Sequence, residues 1–339
     1  MRPPKATVAI ISPALRKANN GNWQTAHRWS RFLQPDYGVT LAAEWAADHP
    51  AGAVPACLIA LHARRSADSI ARFAKACPGR PLMVVLTGTD LYRDIRSDAS
   101  AQRSLDLATH LVVLQDEGPA ELAPGHRAKC RVIYQSAPAI LPAAASQDAF
   151  EVVLVGHMRA EKDPGTPMQA LRLLPDDSRV RMIHIGAALD DTWRQAAEAL
   201  QAHRWPGVRR YVWLANLSHA ETRRRIGQAR AMVISSVMEG GANVIIEAVT
   251  SGVPVLASRI PGNVGMLGRD YEGYFPPGDA AHLATMLEHA SGDDAFLERL
   301  RRQCAQRAPL FAPELERAEV IRLVAEALKP DWPGAPPWN

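Results

Sequence analysis

Residues 231–247 read A-M-V-I-S-S-V-M-E-G-G-A-N-V-I-I-E, an apolar run followed by a glycine pair and a second apolar run. The first run, Ala231–Ser235, has the length and composition of a buried strand, and the second predicts a helix that starts near Gly241. Two consecutive glycines let a ligand approach the backbone closely. The first N–H groups of a helix have no partner within it and attract anions. This stretch therefore predicts an anion-binding loop between a strand and a helix.

Two glutamates bracket this loop. Glu239 precedes the glycines, and Glu247 lies about two turns into the helix. They are eight positions apart, and at about 1.5 Å per residue this spans roughly 12 Å, which is about the length of a diphosphate that joins two sugars. Carboxylates at the two ends could accept hydrogen bonds from hydroxyls of a hexose and of a ribose. Taken alone, a glycine-rich helix start with a surface glutamate explains this stretch equally well.

A second polar motif, G-H-M-R-A-E-K at residues 156–162, follows the strand-like run Glu151–Val155. Ligands of α/β proteins bind at the carboxyl ends of parallel strands, where this motif lies. Two cations three residues apart, Arg159 and Lys162, can hold a diphosphate, and arginine offers two parallel hydrogen bonds to it. Ordinary loop charge is the simpler interpretation of this motif alone. Two such motifs in one half of the chain favour a binding site.

Apolar runs of four to six residues alternate with helix-length segments along the chain. Runs that are apolar on both faces are typical of buried parallel strands, and their alternation with helices predicts βαβ units. The fold class is therefore α/β, with two doubly wound halves. The runs are Thr7–Ile11, Val39–Ala42, Ala56–Leu61, Leu82–Leu86, His110–Leu114 and Arg131–Tyr134 in the first half, and Glu151–Val155, Val180–Ile185, Arg209–Trp213, Ala231–Ser235 and Pro254–Ala257 in the second.

An alanine- and proline-rich stretch, residues 136–150, separates the two halves and has the composition of an interdomain linker. We therefore place an N-terminal domain at residues 1–140 and a second domain at residues 141–312. Apolar spacing over residues 313–328 predicts an amphipathic helix. Residues 313–339 form this helix and a proline-rich tail.

Composition and charge narrow the function classes. The 339 residues suit two domains, and 47% hydrophobic and 22% charged residues are ordinary for globular chains. The net charge of +4 is dispersed, so we expect small-molecule substrates and no nucleic acid. No apolar run approaches the ~18 residues of a membrane span, and we expect a cytoplasmic protein. The four cysteines lie far apart and are expected to be free thiols. The sequence leaves the oligomeric state open.

Several common cofactor and catalytic motifs are absent from the sequence. No G-x-G-x-x-G follows a strand and no G-x-x-x-x-G-K-[ST] is present, which argues against a dinucleotide cofactor and a phosphate-binding P-loop. No G-x-S-x-G motif marks a serine nucleophile. No D-x-D triplet is present to clamp a metal on a sugar nucleotide. We therefore expect neither a cofactor nor a bound metal.

Together, the two polar motifs resemble the sugar-donor site of retaining glycosyltransferases of family 4, which have the GT-B fold. In that family G-x-x-R-x-x-K holds the nucleotide diphosphate, and E-x7-E flanks a glycine-rich loop. The segments S-G-V-P-V-L-A-S and P-P-G-D of this chain also resemble the family. The resemblance covers almost the whole chain. It implies two Rossmann-like doubly wound domains that face across a cleft, with the final helix returning toward the first domain.

The resemblance also implies roles for individual residues. Arg159 and Lys162 would bind the diphosphate and Glu239 the transferred sugar, as the catalytic set, and Glu247 would bind the ribose. The loop reads E-G-G-A-N where the family has a phenylalanine or threonine, so Asn243 is expected to add a contact of its own. The remaining residues expected to bind the sugar donor are Gly156, Gly240, Gly241 and Ala242.

Three segments of the first half resemble one branch of this family, the selenosugar synthases. They are W-Q-T-A-H-R-W at 23–29, L-H-A-R-R-S-A at 61–67 and L-T-G-T-D-L-Y-R-D-I at 86–95. Members of this branch transfer a sugar from UDP-N-acetylglucosamine to selenophosphate, giving a selenosugar, UDP and phosphate in selenoneine biosynthesis. Many family 4 members carry a histidine near Thr87, and this chain does not. Selenium in selenophosphate is already anionic, so no side-chain base is required.

The resemblance implies that the first domain binds the acceptor, with loops that leave the carboxyl ends of its strands. The expected acceptor-binding residues are Asn20, Gly21, Asn22, Thr25, His62, Arg64, Thr87 and Thr89. A trianionic acceptor beside a diphosphate is repelled unless cations intervene, so Lys17, Arg28 and Arg93 are further candidates. Arg16 and Arg65 are expected to be solvated.

Three other activities fit the same sugar-donor motifs. The acceptor could be a hydroxyl of a saccharide or a phosphorylated polyol. The chain could bind a sugar nucleotide without transferring the sugar, or it could epimerise the sugar and release no UDP. The sequence does not separate glucose from N-acetylglucosamine, and it leaves the anomeric configuration of the product open.

Overall fold

The computed structural model describes residues 5–15, 21–46, 54–140 and 148–329. The chain divides into two units, which we call unit 1 (Met1–Ser136 with Pro313–Asn339) and unit 2 (Ala137–Ala312). The sequence places the first boundary slightly later, after residue 140. In the described residues each unit is built on a parallel sheet connected by helices, which confirms the α/β class.

The sheet of unit 1 contains, among the described residues, six parallel strands in the order β2-β1-β3-β4-β5-β6. Val8 in β1, the second strand from one edge, lies opposite Val39 of β2 on one side and Cys57 of β3 on the other. The order reverses direction between β1 and β3, which makes that position the topological switch point where such sheets bind ligands. The strands are β1 (Thr7–Ile11), β2 (Gly38–Ala42), β3 (Cys57–Leu61), β4 (Leu82–Val85), β5 (His110–Val113) and β6 (Cys130–Val132).

The helices of unit 1 pack on both faces of this sheet. They are α1 (Gly21–Leu33), α2 (Ala67–Ala76), α3 (Ile95–Ser97), α4 (Ala99–Leu107), α5 (Pro124–Arg127) and α13 (Pro313–Ala327), with a single π-helical turn at Asp90–Asp94. Alternate residues of a strand point to opposite faces. Ile11 therefore packs in one cluster with Phe73 of α2, and Ile10 in a second cluster with Trp29 of α1 and Val324 of α13.

One buried carboxylate joins α13 to the rest of unit 1. Glu316 accepts hydrogen bonds from Arg28 Nε at 2.6 Å, Arg28 Nη2 at 3.0 Å and Trp29 Nε1 at 2.7 Å, all on α1. It also accepts one from Ser136 Oγ at 2.5 Å, at the start of the expected linker. The Glu316 side chain is fully buried, so these donors replace the water that a carboxylate requires.

The sheet of unit 2 also contains six parallel strands within the described ranges, in the order β12-β11-β10-β7-β8-β9. This is the Rossmann order, and its switch point lies between β7 and β10. The strands are β7 (Phe150–Val155), β8 (Val180–Ile185), β9 (Tyr211–Trp213), β10 (Ala231–Ile234), β11 (Val255–Ser258) and β12 (Tyr274–Phe275). The helices are α6 (Gly165–Leu173), α7 (Asp191–Ala202), α8 (His219–Gln228), α9 (Asn243–Thr250), α10 (Pro261–Leu267), α11 (Ala280–Gly292) and α12 (Asp294–Arg307).

Each strand expected from the sequence is present to within two residues at either end, but three details differ. β12 is a two-residue edge strand that the apolar pattern did not predict. β9 starts at Tyr211 rather than Arg209, and the buried Arg210 guanidinium just before it donates to the carbonyls of Leu171 and Leu174 at the end of α6. The helix expected from Gly241 starts at Asn243.

Two further expectations can be compared with the described residues. The cysteines are free thiols as predicted, with Cys57, Cys77 and Cys304 buried and Cys130 partly buried. Among the described helices, none has both the length and the apolar character needed to cross a membrane. Of the expected linker, Phe150 belongs to β7, and residues 141–147 lie outside the described ranges.

Candidate active site

The two polar motifs of unit 2 lie side by side at its switch point, because they follow the adjacent strands β7 and β10. Hydrogen bonds join the two loops. Ser235 Oγ donates to the carbonyls of Lys162 and Asp163 at 3.0 and 2.8 Å, and Val237 N–H donates to the carbonyl of Glu161 at 3.0 Å. The two loops therefore form one continuous, hydrogen-bonded surface at the carboxyl edge of the sheet.

Lys162 and Glu239 form an ion pair at this edge. The Nζ atom lies 2.5 Å from Glu239 Oε1, and Ser236 Oγ donates to the same oxygen at 2.6 Å. The side chains are 23% and 10% exposed, so the pair is partly withdrawn from water and still reachable by a ligand. The hydrogen bonds described for the Glu239 carboxylate both involve Oε1, so Oε2 can accept a hydrogen bond from a ligand.

A second layer of residues supports Glu239. A Cβ atom added to Gly262 would lie 1.9 Å from the Glu239 carbonyl oxygen, so only glycine fits there. Ser258 Oγ donates to the Ser236 carbonyl at 2.6 Å, and Asn263 Nδ2 donates to the Ser258 carbonyl at 2.9 Å. Sequence analysis missed Gly262 and Asn263, although the P-G-N sequence directly after the β11 region is a recognisable signal for them.

Arg159 lies on the same loop in an extended backbone conformation. Its side chain is 42% exposed, and its Nε atom lies 3.9 Å from Glu161 Oε2, a long contact for an ion pair. Exposed pairs of this geometry contribute little stability. The guanidinium can therefore turn to an anionic ligand at small cost.

Two histidines beneath this edge have lowered pKa values. Burial lowers the pKa of His157, and the neighbouring cations Arg159 and Lys162 lower it further. Its Nδ1 atom accepts a hydrogen bond from Ala187 N–H at 3.0 Å. Burial lowers the pKa of His184 to about 4. Both rings are therefore neutral at pH 7. His157 belongs to the motif G-H-M-R-A-E-K, but the sequence pattern alone indicates no role for it.

Gly186 lets the loops after β7 and β8 approach each other. A Cβ atom at Gly186 would lie 1.9 Å from the Gly156 carbonyl oxygen. The resulting small cavity is lined in part by Gly156, His157, Lys162 and Ser236. The predicted residue Gly156 lines this cavity, and a Cβ atom there would lie 3.6 Å from Lys162 Cδ, an ordinary contact, so the position does not require glycine.

Glu247 lies on α9, apart from the Lys162–Glu239 pair. Its side chain is 8% exposed, and its Oε1 atom is 2.6 Å from Nε2 of His219 at the start of α8. Between the two glutamates, Gly240 is buried, Gly241 is partly buried, and Ala242 precedes the first residue of the helix, Asn243. Sequence analysis missed the contact with His219, which lies 28 residues away along the chain.

At the carboxyl edge of unit 1, the predicted residues His62, Thr89 and Arg64 lie in one network. His62 Nε2 is 3.0 Å from Thr89 Oγ1. Arg64 Nε donates to Asp94 at 2.8 Å, and Arg93 Nε donates to the same carboxylate at 3.1 Å. Burial alone would raise the pKa of Asp94, but the hydrogen bonds from these two arginines hold its pKa below the ordinary value.

Asp90 organises the loop that carries the two predicted threonines. One of its carboxylate oxygens accepts from the N–H groups of Thr87 and Gly88, both at 2.9 Å. The other accepts from Ala63 N–H at 2.9 Å. Asp90 is fully buried, whereas Thr87 and Thr89 are partly exposed. The carboxylate thus holds the loop and leaves the threonines at the surface.

Other acceptor candidates need correction. Thr25 is 1% exposed, donates to the Gly21 carbonyl at 2.9 Å and accepts from Gln135 Nε2, so it supports α1 from inside and does not line a surface. Arg28 is a further candidate for binding the acceptor, but its guanidinium donates two hydrogen bonds to Glu316 and is therefore engaged. Gly21 and Asn22 form the first turn of α1. Arg16, Lys17 and Asn20 lie outside the described residues.

Solved structures with this architecture cover nearly the whole chain. Anabaena HepE, in complex with UDP and glucose, is 15% identical with a TM-score of 0.71, covering 95% of this chain and 99% of its own. Sucrose-phosphate synthase from Thermosynechococcus elongatus is 16% identical with a TM-score of 0.78, covering 95% and 98%. The pneumococcal O-GlcNAc transferase GtfA, in complex with UDP and GlcNAc, is 18% identical with a TM-score of 0.62, covering 80% and 57%. The fold is therefore that of the GT-B glycosyltransferases.

One family model matches most of the sequence of unit 2. Residues 142–310 match the model of the family described as glycosyl transferases group 1. The match covers just under half of the chain, and this segment is therefore similar to that family. The matched residues contain both polar motifs and the whole Lys162–Glu239 network.

Proposed function

We propose that this chain transfers N-acetylglucosamine from UDP-N-acetylglucosamine to selenophosphate, in the biosynthesis of selenoneine. Selenium attacks the anomeric carbon, the bond from that carbon to the diphosphate oxygen breaks, and UDP leaves with the bonding electrons. Water then cleaves the Se–P bond of the glycosyl selenophosphate, which gives the selenosugar and phosphate. The overall reaction consumes one water and needs no oxidant or reductant.

The Lys162–Glu239 pair at the switch point is the observation that carries the sugar-donor half of this proposal. A cation for the leaving diphosphate and a carboxylate for sugar hydroxyls lie 2.5 Å apart on the edge where Rossmann sheets bind ligands. Negative charge on the diphosphate grows as the glycosidic bond breaks, so Lys162 and Arg159 would bind the transition state more tightly than the substrate. UDP in the HepE and GtfA complexes supports the choice of nucleotide.

The acceptor half rests on the resemblance of three segments of unit 1 to selenosugar synthases, and the chemistry of that unit supports it. Asp90 holds three backbone N–H groups, and Asp94 pairs with Arg64 and Arg93. These carboxylates are engaged and so do not suit the role of a base that takes a proton from an acceptor. An acceptor that is already an anion needs no such base.

A single experiment separates the proposal from its rivals. The enzyme is mixed with a panel of sugar nucleotides, with and without selenophosphate, and UDP release is followed together with mass spectrometry of the products. We expect UDP-N-acetylglucosamine and selenophosphate to give UDP and a selenium-containing hexosamine. Brisk transfer to a saccharide or phosphorylated polyol without any selenium product would show a hydroxyl acceptor. UDP binding without turnover, or a changed sugar without UDP release, would refute transferase activity.

The two glutamates are expected to differ kinetically. Glu247→Gln should raise KM for the sugar nucleotide roughly 10-fold with little change in kcat, because a ribose contact is made before and during the reaction. Glu239→Gln should lower kcat up to about 100-fold, because a misplaced sugar reacts slowly. Steady-state kinetics test this, with Glu198→Gln on the exposed face of α7 as a control. The same kinetic pattern in both variants would contradict the division of roles.

Activity is expected to survive EDTA. The two cations at the carboxyl edge and the N–H groups at the start of α9 would balance the diphosphate charge. The initial rate of UDP release is measured after incubation with EDTA and again after addition of Mg²⁺ or Mn²⁺. Loss of activity that is restored by either cation would contradict this expectation. In the described residues no group of three or more histidine, cysteine, aspartate or glutamate side chains could hold a metal ion.

A further inference from the structure

His62 directly follows β3, one of the two strands at the switch point of unit 1, and has an unusual backbone conformation. Its φ is 71°, in the left-handed region that residues with side chains rarely adopt. The His62 ring is buried. Its backbone N–H donates to the Val85 carbonyl at 2.8 Å, so the strained residue still pairs with the end of β4. Such strain persists only where the surroundings hold it, and it is concentrated at functional sites.

The hydrogen bonds of His62 determine which ring nitrogen carries the proton. Arg65 N–H donates to Nδ1 at 3.3 Å, so Nδ1 is the nitrogen without a hydrogen. The hydrogen of the neutral ring is therefore on Nε2, which lies 3.0 Å from Thr89 Oγ1. Burial lowers the pKa of His62. The Asp90 carboxylate acts to raise this pKa and the Arg65 cation to lower it further, and the ring is neutral at pH 7.

We propose that Thr89 donates its hydroxyl hydrogen to an anionic oxygen of the acceptor, and that His62 is the positioning residue that turns this hydroxyl outward. Because Thr89 Oγ1 accepts the hydrogen of Nε2, its own hydrogen is directed away from the ring. Thr89 is partly exposed at the carboxyl edge of the sheet, where a ligand can meet it.

This inference rests on the proposed function, since selenophosphate supplies the anionic oxygens. A hydrogen bond to such an oxygen is about twice as strong as one between neutral groups, which favours a phosphoryl anion over a hydroxyl acceptor. The same arrangement excludes His62 as the base of the reaction. Its Nε2 already carries a hydrogen, and its Nδ1 is occupied by Arg65 N–H.

Two variants of Thr89 test the donated hydrogen. Thr89→Val keeps the shape and removes the hydroxyl, whereas Thr89→Ser keeps the hydroxyl. We expect Thr89→Val to raise KM for selenophosphate about 10- to 150-fold, the range for a hydrogen bond to a charged group, and Thr89→Ser to stay within about threefold of wild type. The affinity for UDP should be unchanged in both variants, because Thr89 lies on unit 1.

A spectroscopic measurement tests the positioning role of His62. Long-range ¹H–¹⁵N correlation spectra of the ring should show a protonated Nε2 and an unprotonated Nδ1 at pH 7, in wild type and in Thr89→Val alike. His62→Asn should raise KM for selenophosphate in the same direction as Thr89→Val, because asparagine tolerates the left-handed conformation but lacks the ring. A proton on Nδ1 would overturn the inference.

Binding of inorganic phosphate to the UDP complex, measured by titration calorimetry, separates this inference from the proposed function. Weaker phosphate binding in Thr89→Val than in Thr89→Ser supports the inference even if wild type makes no selenium product, in which case the acceptor assignment alone fails. Turnover of selenophosphate with the same KM in Thr89→Val and wild type overturns the inference and leaves the function standing. Equal phosphate affinity in the two variants, or no phosphate binding by wild type, also overturns it.

Discussion

Replacing Arg159 by alanine is expected to lower kcat/KM about 30- to 1,000-fold, which corresponds to about 2–4 kcal/mol of transition-state stabilisation. The guanidinium is 42% exposed on the loop after β7, beside Lys162. In the proposed reaction it binds the diphosphate as its negative charge grows, so its removal acts mainly on the transition state. Steady-state UDP release at varied sugar-nucleotide concentration measures the change.

This variant is well suited to a kinetic test because its effect on folding should be small. The contact between Arg159 and Glu161 is 3.9 Å long, and such surface pairs are worth between zero and about 1 kcal/mol. Arg172→Ala, an exposed arginine of α6 in the same unit, is the matched control and should keep full activity. A folded Arg159→Ala enzyme with normal kcat/KM would refute the role of Arg159 in binding the diphosphate.

Replacing Glu316 by alanine is expected to destabilise unit 1 by about 3–5 kcal/mol, the usual cost of removing one partner of a buried ion pair. The substitution leaves the Arg28 guanidinium without its carboxylate and deprives Trp29 Nε1 and Ser136 Oγ of their acceptor. Because the apolar contacts of α13 with α1 remain, we expect the variant to fold. Its urea midpoint of unfolding should be lower than that of wild type. Urea unfolding followed by circular dichroism measures it.

Glu319→Ala provides the comparison on the same helix. Glu319 pairs with Arg322 on the exposed face of α13, so its loss should change stability by no more than about 0.5 kcal/mol. Glu316→Gln should fall between the two, because the amide can still accept a hydrogen bond but cannot neutralise Arg28. Equal urea midpoints for Glu316→Ala and Glu319→Ala would show that the buried carboxylate does not hold α13 in place.

The architecture could be predicted from the sequence because buried parallel strands leave a strong local signal. Thr7–Ile11, for example, has four successive apolar residues, which alternate between the two faces, and it coincides with β1. Strand β12 has only two residues, too few for a pattern. Pro254 lies just outside β11, whereas Ser258 belongs to it, because pairing with Phe275 of β12 extends the strand at that end.

The candidate site could be predicted only in part, because motifs locate residues along the chain but not their partners. Lys162 and Glu239 each follow a strand, but their contact depends on β7 lying beside β10, and the two residues are 77 positions apart. Arg28 and Glu316 are 288 positions apart in the sequence, so no local pattern could reveal their ion pair.

Thr25 is different, because its burial could have been foreseen from the sequence. Thr25, Trp29 and Leu33 recur every four residues, so they lie on one stripe of α1. All three are buried, which places the threonine inside unit 1 and away from the surface.

The placement of α13 has a consequence for biosynthesis. Unit 1 takes its last helix from the far end of the chain, so it must wait through translation of all 176 residues of unit 2 before that helix is made. At about 5–20 residues per second the delay is roughly 9–35 s. During this interval the apolar face that receives Val320, Leu323 and Val324 is uncovered on the ribosome. Unit 2 is continuous in sequence and can complete its own fold first.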